Sequence, residues 1–222
     1  AGWMMWVAGF TVIVASLVAL RQDNLKKRLA YSTVSQLSYI TLGMALATSL
    51  GVMGGAMHIA MHAMGKITLF MCAGAIYVAT HKTDISDMDG LGRIMPFTYG
   101  AFLIGALSII GLPPLGGAWS KWYLMLGSAD AGHLIMIGVF MLSSILNVVY
   151  LLSIVARGFF VPAPRLASVG AAAVNPKGGI QEAPLLCVLP PVLTAIGCFV
   201  LFFYAGEIYD LIYPVAFPGA AQ

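Results

Sequence analysis

Two lysines lie where the sequence is otherwise apolar enough to cross a lipid bilayer. Lys66 is in the middle of one such stretch and Lys121 is in another, whereas the other basic residues fall in loops or near segment ends. A lysine at the centre of a membrane helix costs roughly 2.5–3.5 kcal/mol on insertion scales. A chain that bears this cost twice is expected to use its ammonium groups for ion or proton movement.

A stripe of titratable side chains runs through the first of these stretches. His58, His62 and Lys66 recur at intervals of four residues, which stacks them along one face of an α-helix. Their neighbours are apolar or small, so this face should point toward other helices or a hydrated cavity. Because histidine exchanges protons near neutral pH, the spacing predicts a proton relay. The alternative is that the three side chains join helices through interhelical hydrogen bonds.

A copper site is a third interpretation of this stripe, since Met57 and Met61 accompany the histidines and thioether and imidazole groups bind copper. However, these methionines point about 100° away from the histidine face, and Lys66 would repel a cation. We therefore predict no metal site. We also predict no cofactor, because the sequence has no cysteine cluster and no glycine-rich dinucleotide-binding loop.

The stretch that contains Lys121 is predicted to be a discontinuous helix. Pro113 and Pro114 remove backbone donors, and Gly116 and Gly117 weaken helical order just before the lysine. Interrupted helices at membrane depth occur where protein or water covers the freed carbonyls, as at the ion sites of transporters. The alternative is a simple proline kink with Lys121 extending to the membrane interface.

Other polar residues occur in the apolar segments and could support a path of hydrogen-bonded water. For each of them, packing or helix capping is the alternative role. They are Tyr31, Ser32, Thr33, Ser35, Gln36 and Ser38 in the second segment, Ser120 beside Lys121, and Asn147 and Tyr150 in the fifth segment.

The composition indicates an all-α, polytopic membrane protein. Hydrophobic residues make up 60% of the chain and charged residues 9%, and the mean hydropathy is +0.94, outside the range of soluble domains. Six segments meet the requirement of about 20 residues for a membrane span. We predict these spans at about 1–20, 31–50, 52–79, 97–127, 133–156 and 185–205, the fourth being discontinuous.

Basic residues other than the two central lysines are confined to one side of this six-span arrangement. The positive-inside rule places that side in the cytoplasm. The residues are Arg21, Lys26, Lys27, Arg28, Lys82, Arg93, Arg157, Arg165 and Lys177.

Three parts are predicted along the chain. Residues 1–160 form a five-helix unit, residues 161–184 a cytoplasmic linker rich in Pro, Gly and Ala, and residues 185–222 a terminal membrane helix with a tail. The chain starts at Ala inside an apolar segment, so we expect it to be a piece of a longer protein.

With these motifs, the chain resembles the antiporter-like proton-translocating subunits shared by respiratory complex I, Mrp-type Na⁺/H⁺ antiporters and membrane-bound hydrogenases. Within this family, Ser120-Lys121-Trp122-Tyr123 is most similar to the D subunit of the Mrp antiporters. The matching stretches are DNLKKRLAYSTVSQ at 23–36, the His58, His62 and Lys66 stripe followed by Leu69-Phe70, MDGLGRIMP at 88–96, and Leu112-Pro113-Pro114 leading to Ser120-Lys121.

The resemblance implies the second of two inverted five-helix repeats, followed by one trailing helix. It implies that Lys66 belongs to a central hydrophilic axis and that Lys121 is the terminal proton-handling lysine. The expected function is proton conduction in a Na⁺/H⁺ antiporter complex of the bacterial cytoplasmic membrane, with other membrane subunits as partners and no catalytic chemistry of its own.

Two alternatives to antiport remain open. One is a proton-pumping subunit of a complex I-type NADH:quinone oxidoreductase, where the chain would be a translocase subunit, or of a hydrogenase. The other is a structural membrane subunit that does not transport. The sequence leaves the passage of Na⁺ through this chain open.

Overall fold

The chain is a bundle of α-helices, as a computed structural model that describes residues 2–162 and 179–217 shows. This agrees with the predicted polytopic all-α fold. The described residues form nine α-helices and a short 3₁₀ helix at Ile85–Asp87: α1 (Gly2–Arg21), α2 (Leu25–Ala45), α3 (Ser49–Thr80), α4 (Leu91–Ile94), α5 (Pro96–Ile110), α6 (Gly117–Asp130), α7 (Leu134–Phe160), α8 (Leu185–Phe203) and α9 (Ala205–Ala216).

Four of these helices, α1, α3, α7 and α8, are long and apolar enough by themselves to cross a membrane. The predicted fourth span is divided between α5 and α6, so the expected discontinuity is present. The second span is shifted from the predicted 31–50 to Leu25–Ala45, because Asn24 caps its first turn by accepting a hydrogen bond from the backbone N–H of Lys27 at 3.2 Å.

The longest helix, α3, is the centre of the bundle. Its 32 residues correspond to about 48 Å of helix at 1.5 Å per residue. This exceeds the ~30 Å hydrocarbon core, so α3 must tilt or extend beyond it. It packs against α2, α5, α6, α8 and α9, while α1 packs against α2 and α7. The stripe predicted on α3 therefore has helices around it.

A layer of buried polar side chains separates two apolar clusters. Along α2, Leu25 and Leu29 belong to one cluster, and Tyr39, Leu42 and Leu46 belong to the other. The buried α2 residues between them are polar, and buried polar residues separate the same two clusters on α1 and α7. On α3 the polar residues adjoin a third apolar cluster, which contains Met53, Met57 and Met61, and the first cluster begins at Leu69. We call these residues the polar layer: Ser16, Ser32, Ser35, Gln36, His58, His62, Lys66, Ser120, Lys121, Ser143 and Asn147.

Apart from Lys66 and Lys121, the basic residues of the described ranges lie around the end of the bundle where α1 ends and α2 begins. Arg157 at the end of α7 pairs with Asp89, with Nε 2.7 Å from Oδ1. Hydrogen bonding to this guanidinium lowers the pKa of Asp89 below its usual value of 3.8. Arg165 and Lys177 lie outside the described residues.

Among the basic residues at this end of the bundle that the structure describes, Arg28 is the buried one. Arg28 is part of α2 and is buried. Its guanidinium donates from Nη1 to the carbonyl of Tyr150 at 3.1 Å and from Nε to the carbonyl of Gln22 at 2.8 Å. This corrects its assignment as a loop cation: the helix starts earlier than predicted and carries Arg28 into the seam with α7.

The part of the chain after the predicted linker packs onto the five-helix unit. Helix α8 contacts α3 and α5. Glu182, near the end of the predicted linker, accepts hydrogen bonds from the N–H groups of Phe97 and Thr98 at the start of α5. The predicted tail contains a further helix, α9, which packs against Met53, Met57 and Met61. Residues 163–178 of the predicted linker lie outside the described residues, so the three-part division stays a prediction.

Candidate functional site in the polar layer

Lys66 extends from α3 toward α2. Its side chain is 5% exposed, and its ammonium donates to the hydroxyl of Ser32 at 2.6 Å and to the carbonyl of Leu29 at 3.2 Å. The carbonyl of Leu29 also accepts a bond from the hydroxyl of Thr33 at 2.9 Å. Two of the three ammonium protons therefore have acceptors, which reduces the cost of burying the charge.

Lys121 has an equivalent pair of acceptors next to the helix break. Its side chain is 6% exposed, and its ammonium donates to the carbonyl of Ile110 at 2.9 Å and to the hydroxyl of Ser144 at 3.0 Å. The ammonium also lies 5.1 Å from the centre of the Tyr39 ring, within range of a cation–π interaction.

The break in the helix supplies one of these acceptors. In a continuous helix the carbonyl of Ile110 would accept from the N–H of residue 114, but Pro114 has no N–H. Gly111 ends α5 with φ of 90°, a conformation that side chains disfavour. A Cβ at Gly117 would overlap the carbonyl oxygen of Ser108. The predicted Pro and Gly residues thus create a free carbonyl and let the two half-helices approach.

A cavity of about 500 Å³ opens beside Lys121, between the helix break and α7. Its other lining residues are mostly apolar, and they include Leu112, Trp122, Phe140 and Ile145. Lys121 and Ser144 are the polar side chains in this lining. Lys121 therefore lies at a boundary between the polar layer and a more open apolar space, whereas Lys66 is enclosed by helices.

The two histidines lie between the lysines along the bundle. His58 is hydrogen-bonded through Nδ1 to the hydroxyl of Ser120 at 2.9 Å and through Nε2 to Oε1 of Gln36 at 3.1 Å. Because an amide oxygen only accepts, Nε2 of His58 carries a proton and Nδ1 is free to accept. His58 also stacks on His62, with 5.8 Å between ring centroids. Residues from α2, α3 and α6 therefore meet at His58.

Several buried polar atoms of the layer have no hydrogen-bond partner in the described structure. They are Gln36 Nε2, His62 Nε2 and Asn147 Nδ2. The hydroxyl of Tyr99 also lacks a partner, but it lies outside the layer, among apolar core residues. Buried polar groups are almost always satisfied, by protein or by ordered water. Ordered water is the partner expected for these three nitrogens.

Serine hydroxyls connect the first, second and seventh helices within the layer. Ser16 lies 2.8 Å from Ser35 and 3.1 Å from Ser143, measured between hydroxyl oxygens. Ser16 and Ser35 also donate to the carbonyl of Val12, at 2.8 and 2.9 Å. Ser35 therefore lies in the layer but bonds mainly to other hydroxyls and the backbone.

A second set of contacts joins Lys66 to α7. The hydroxyls of Ser32 and Tyr150 are 2.9 Å apart, and Tyr150 donates to the amide oxygen of Asn147. Both Tyr150 and Asn147 are fully buried. The two polar residues predicted on the fifth segment are thus neighbours of Lys66 through Ser32.

Tyr31 does not belong to this arrangement. Its side chain is 41% exposed and has no hydrogen bond among the described residues, because α2 turns position 31 away from the helices that pack around positions 32, 35 and 36. The expectation that it lines an internal path is corrected. The structure also adds members that the sequence analysis did not identify: Ser16, Tyr39, Ser143 and Ser144. Ser144 lies three residues before Asn147, a spacing that could have identified it.

Comparison with known proteins identifies the family. Residues 1–147 match the family described as NADH:quinone oxidoreductase/Mrp antiporter, transmembrane. NADH-quinone oxidoreductase subunit N of Desulforudis audaxviator is 35% identical over 96% of this chain and 43% of its own length. Subunit L of Rickettsia bellii is 36% identical over 69% of this chain and 23% of its own length.

Solved structures with the same fold include large membrane assemblies. A chain of the archaeal membrane-bound sulfane sulfur reductase is similar with a TM-score of 0.83 and 27% identity, over 97% of this chain and 41% of that one. A chain of the Mrp complex from a Dietzia species has a TM-score of 0.81 at 22% identity, over 96% of this chain and 46% of that one, which shows the shared fold.

This chain spans less than half the length of these relatives. The resemblance inferred from the lysines, the histidine spacing and the Pro-Pro break is confirmed by the family match over residues 1–147. The protein is an integral membrane protein that belongs to the NADH:quinone oxidoreductase/Mrp antiporter transmembrane family.

Proposed function

We propose that the chain conducts protons as a membrane subunit of a multisubunit complex, with Lys66 and Lys121 as the proton-carrying groups. The observation that carries the proposal is the enclosure of both ammonium groups in the polar layer without a carboxylate. All eight Asp and Glu residues lie within the described ranges, and none of them is buried. The positive charges are stabilised by hydrogen bonds and, at Lys121, by the Tyr39 ring.

The absence of a counter-ion makes proton release chemically reasonable. A buried salt bridge holds its proton because the carboxylate would be left as an unpaired charge. Here, release of a proton from either lysine removes a charge from the interior and leaves a neutral amine that still donates hydrogen bonds. Lysines in this setting can alternate between charged and neutral forms.

His58 and His62 are the proposed connection between the lysines. The neutral His58 ring can take up a proton at Nδ1 and release one at Nε2. Ser120 hydrogen-bonds Nδ1 of His58 and immediately precedes Lys121. Gln36 orients the ring at Nε2, and water near the orphaned nitrogens of Gln36, His62 and Asn147 would complete the path.

The test is transport by the full-length protein with Lys121→Ala or Lys66→Ala. We expect ΔpH-driven proton movement in membrane vesicles to fall to about a tenth or less, because the amine that carries the proton is gone. Lys27→Ala is the matched control, since Lys27 is an exposed lysine of the same chain. Undiminished transport by the Lys121 and Lys66 variants at normal protein levels would favour the non-transporting structural role.

We further propose a Na⁺/H⁺ antiporter of the Mrp type, in the bacterial cytoplasmic membrane with the basic end of the bundle inside. The similarity of residues 120–123 to the D subunit of the Mrp antiporters and the shared fold with a chain of an Mrp complex support this assembly. Other membrane subunits would be its partners. Loss of Na⁺-dependent proton uptake on deletion of the gene is the expected result.

A redox-driven proton pump is the second candidate, and a specific observation favours it. The sequence is 35% identical to an NADH-quinone oxidoreductase subunit N over 96% of this chain and 43% of that subunit. Purification of the intact complex separates the two assemblies, since subunits with flavin or iron–sulfur clusters would accompany the chain only in a redox complex. The polar layer would carry protons in either case.

A further inference from the structure

The ammonium of Lys66 is directed away from the histidine that precedes it on the same helix face. His62 and Lys66 are four residues apart on α3, close enough for their side chains to meet. Yet Nε2 of His62 has no hydrogen-bond partner among the described residues, while Lys66 donates to Ser32 and Leu29 on α2. The structure therefore contains one state of Lys66, in which it is bound to α2 and not to His62.

The hydroxyl of Ser32 is oriented by two buried residues of α7. Tyr150 donates its hydroxyl hydrogen toward Ser32 Oγ at 2.9 Å, and the amide oxygen of Asn147, which can only accept, also contacts this hydroxyl. The contact with Tyr150 occupies one lone pair of Ser32. The other lone pair is left for Lys66, whose ammonium lies 2.6 Å away.

Arg28 holds the same part of α7 against α2. Its Nη1 donates to the backbone carbonyl of Tyr150 and to the hydroxyl of Ser153, each at 3.1 Å. The position of the Tyr150 ring relative to Ser32 is thus set by contacts on both sides of the helix seam.

We infer that Ser32, oriented by Tyr150 and Asn147, is a docking acceptor that holds the Lys66 ammonium away from His62, and that transport requires Lys66 to alternate between the two. Ser32, Tyr150 and Asn147 are positioning residues in this scheme, and the proton itself stays on Lys66 until the lysine turns to His62. The inference rests on the proposed function and gives Tyr150 and Asn147 a role other than lining a water path.

The experiment measures proton transport by the full-length protein in membrane vesicles. It compares substitutions that distinguish the hydrogen-bonding role of the Ser32 hydroxyl from the packing role of the Ser32 side chain. Ser32→Ala removes the acceptor and should lower proton transport about tenfold, the effect of losing a hydrogen bond to a charged group. Ser32→Thr keeps the hydroxyl and should stay within about twofold of the wild type. Ser38→Ala is the control, since the hydroxyl of Ser38 bonds to the Val34 carbonyl of its own helix at an exposed position.

Tyr150→Phe and Asn147→Leu provide a second arm that leaves Ser32 in place. Each should lower transport about threefold, because the Ser32 hydroxyl is present but no longer oriented. Protein level and thermal stability are measured for every variant. The inference is overturned if Ser32→Ala transports at the wild-type rate, or if Ser32→Thr is impaired as strongly as Ser32→Ala, which would indicate packing.

The same series separates this inference from the proposed function. Normal transport by Lys66→Ala would remove both. Loss of transport in Lys66→Ala together with wild-type rates in Ser32→Ala and Tyr150→Phe would leave proton conduction intact and remove only the docking role.

Discussion

The two lysine sites use similar acceptors that come from different parts of the structure. Each ammonium donates to one backbone carbonyl and one serine hydroxyl. At Lys66 the carbonyl belongs to an intact helix, and the lysine itself lies on the continuous helix α3. At Lys121 the carbonyl is at the end of α5, where Pro114 cannot supply the usual donor.

This difference predicts where each site is vulnerable. The carbonyl of Leu29 is shared with Thr33, so the Lys66 site depends most on the side chain of Ser32. The Lys121 site depends on the geometry of the break and on the Tyr39 ring beneath the ammonium. Lys121 also lines the cavity between the break and α7, so its ammonium has more room to move than the ammonium of Lys66.

The largest effect is expected from changing the break. Gly117→Ala places a Cβ on the carbonyl of Ser108, which must separate α5 from α6 and should cost about 3 kcal/mol of stability. Thermal unfolding of the purified protein measures this, and transport should fall with it. Gly100→Ala in α5 is the control, because no atom lies within 4 Å of a Cβ there. Equal melting temperatures for the two variants would contradict the close approach at the break.

An intermediate effect is expected from the ring next to Lys121. Tyr39→Leu removes the cation–π contact, which has no counterpart at Lys66 among the described residues. It should reduce transport about fivefold, equivalent to about 1 kcal/mol. Tyr39→Phe keeps the ring and should transport at close to the wild-type rate. If both variants lose transport equally, the hydroxyl of Tyr39 and its 3.3 Å bond to the Phe140 carbonyl matter more than the ring.

The smallest effect is expected outside both lysine sites, at the pair formed by Asp89 and Arg157. Since Arg157 lowers the pKa of Asp89 in the folded protein, the pair stabilises the fold above the unfolded-state pKa of about 4, and this is lost as the pH falls through the lower folded value. Asp89→Asn should lower the free energy of unfolding by about 1 kcal/mol or less at pH 7.

The difference between Asp89→Asn and the wild type should shrink below about pH 4. Melting temperatures measured between pH 3 and pH 7 test this, and Asp87→Asn serves as a control at an exposed neighbouring carboxylate. A difference that grows on acidification would have the wrong sign. Neither variant should change the relative transport rates of the Lys66 and Lys121 variants.

Much of this arrangement could be predicted because it depends on local chemistry. The interval of four residues places His58, His62 and Lys66 on one face of any helix, and Pro113 and Pro114 interrupt any helix. The limits of the second span were harder to predict, because the basic residues 26–28 are typical of a loop. The structure shows that Asn24 caps the helix, so these residues belong to its first turn. The sequence could not show which serine hydroxyls accept hydrogen bonds from Lys66 and Lys121. Many Ser and Thr side chains bond to their own helix instead, as Ser38 does.

The sequence alone determined that the chain crosses a membrane, that it carries two central lysines without acidic neighbours, and that one of them follows a broken helix. These properties follow from composition, spacing and the missing N–H of proline. Only the tertiary structure decided which acceptors each ammonium has, that Lys66 is directed to Ser32 and not His62, and that Tyr31 is outside the layer. Those outcomes depend on how α2, α6 and α7 rotate against α3, which side-chain packing between distant segments determines.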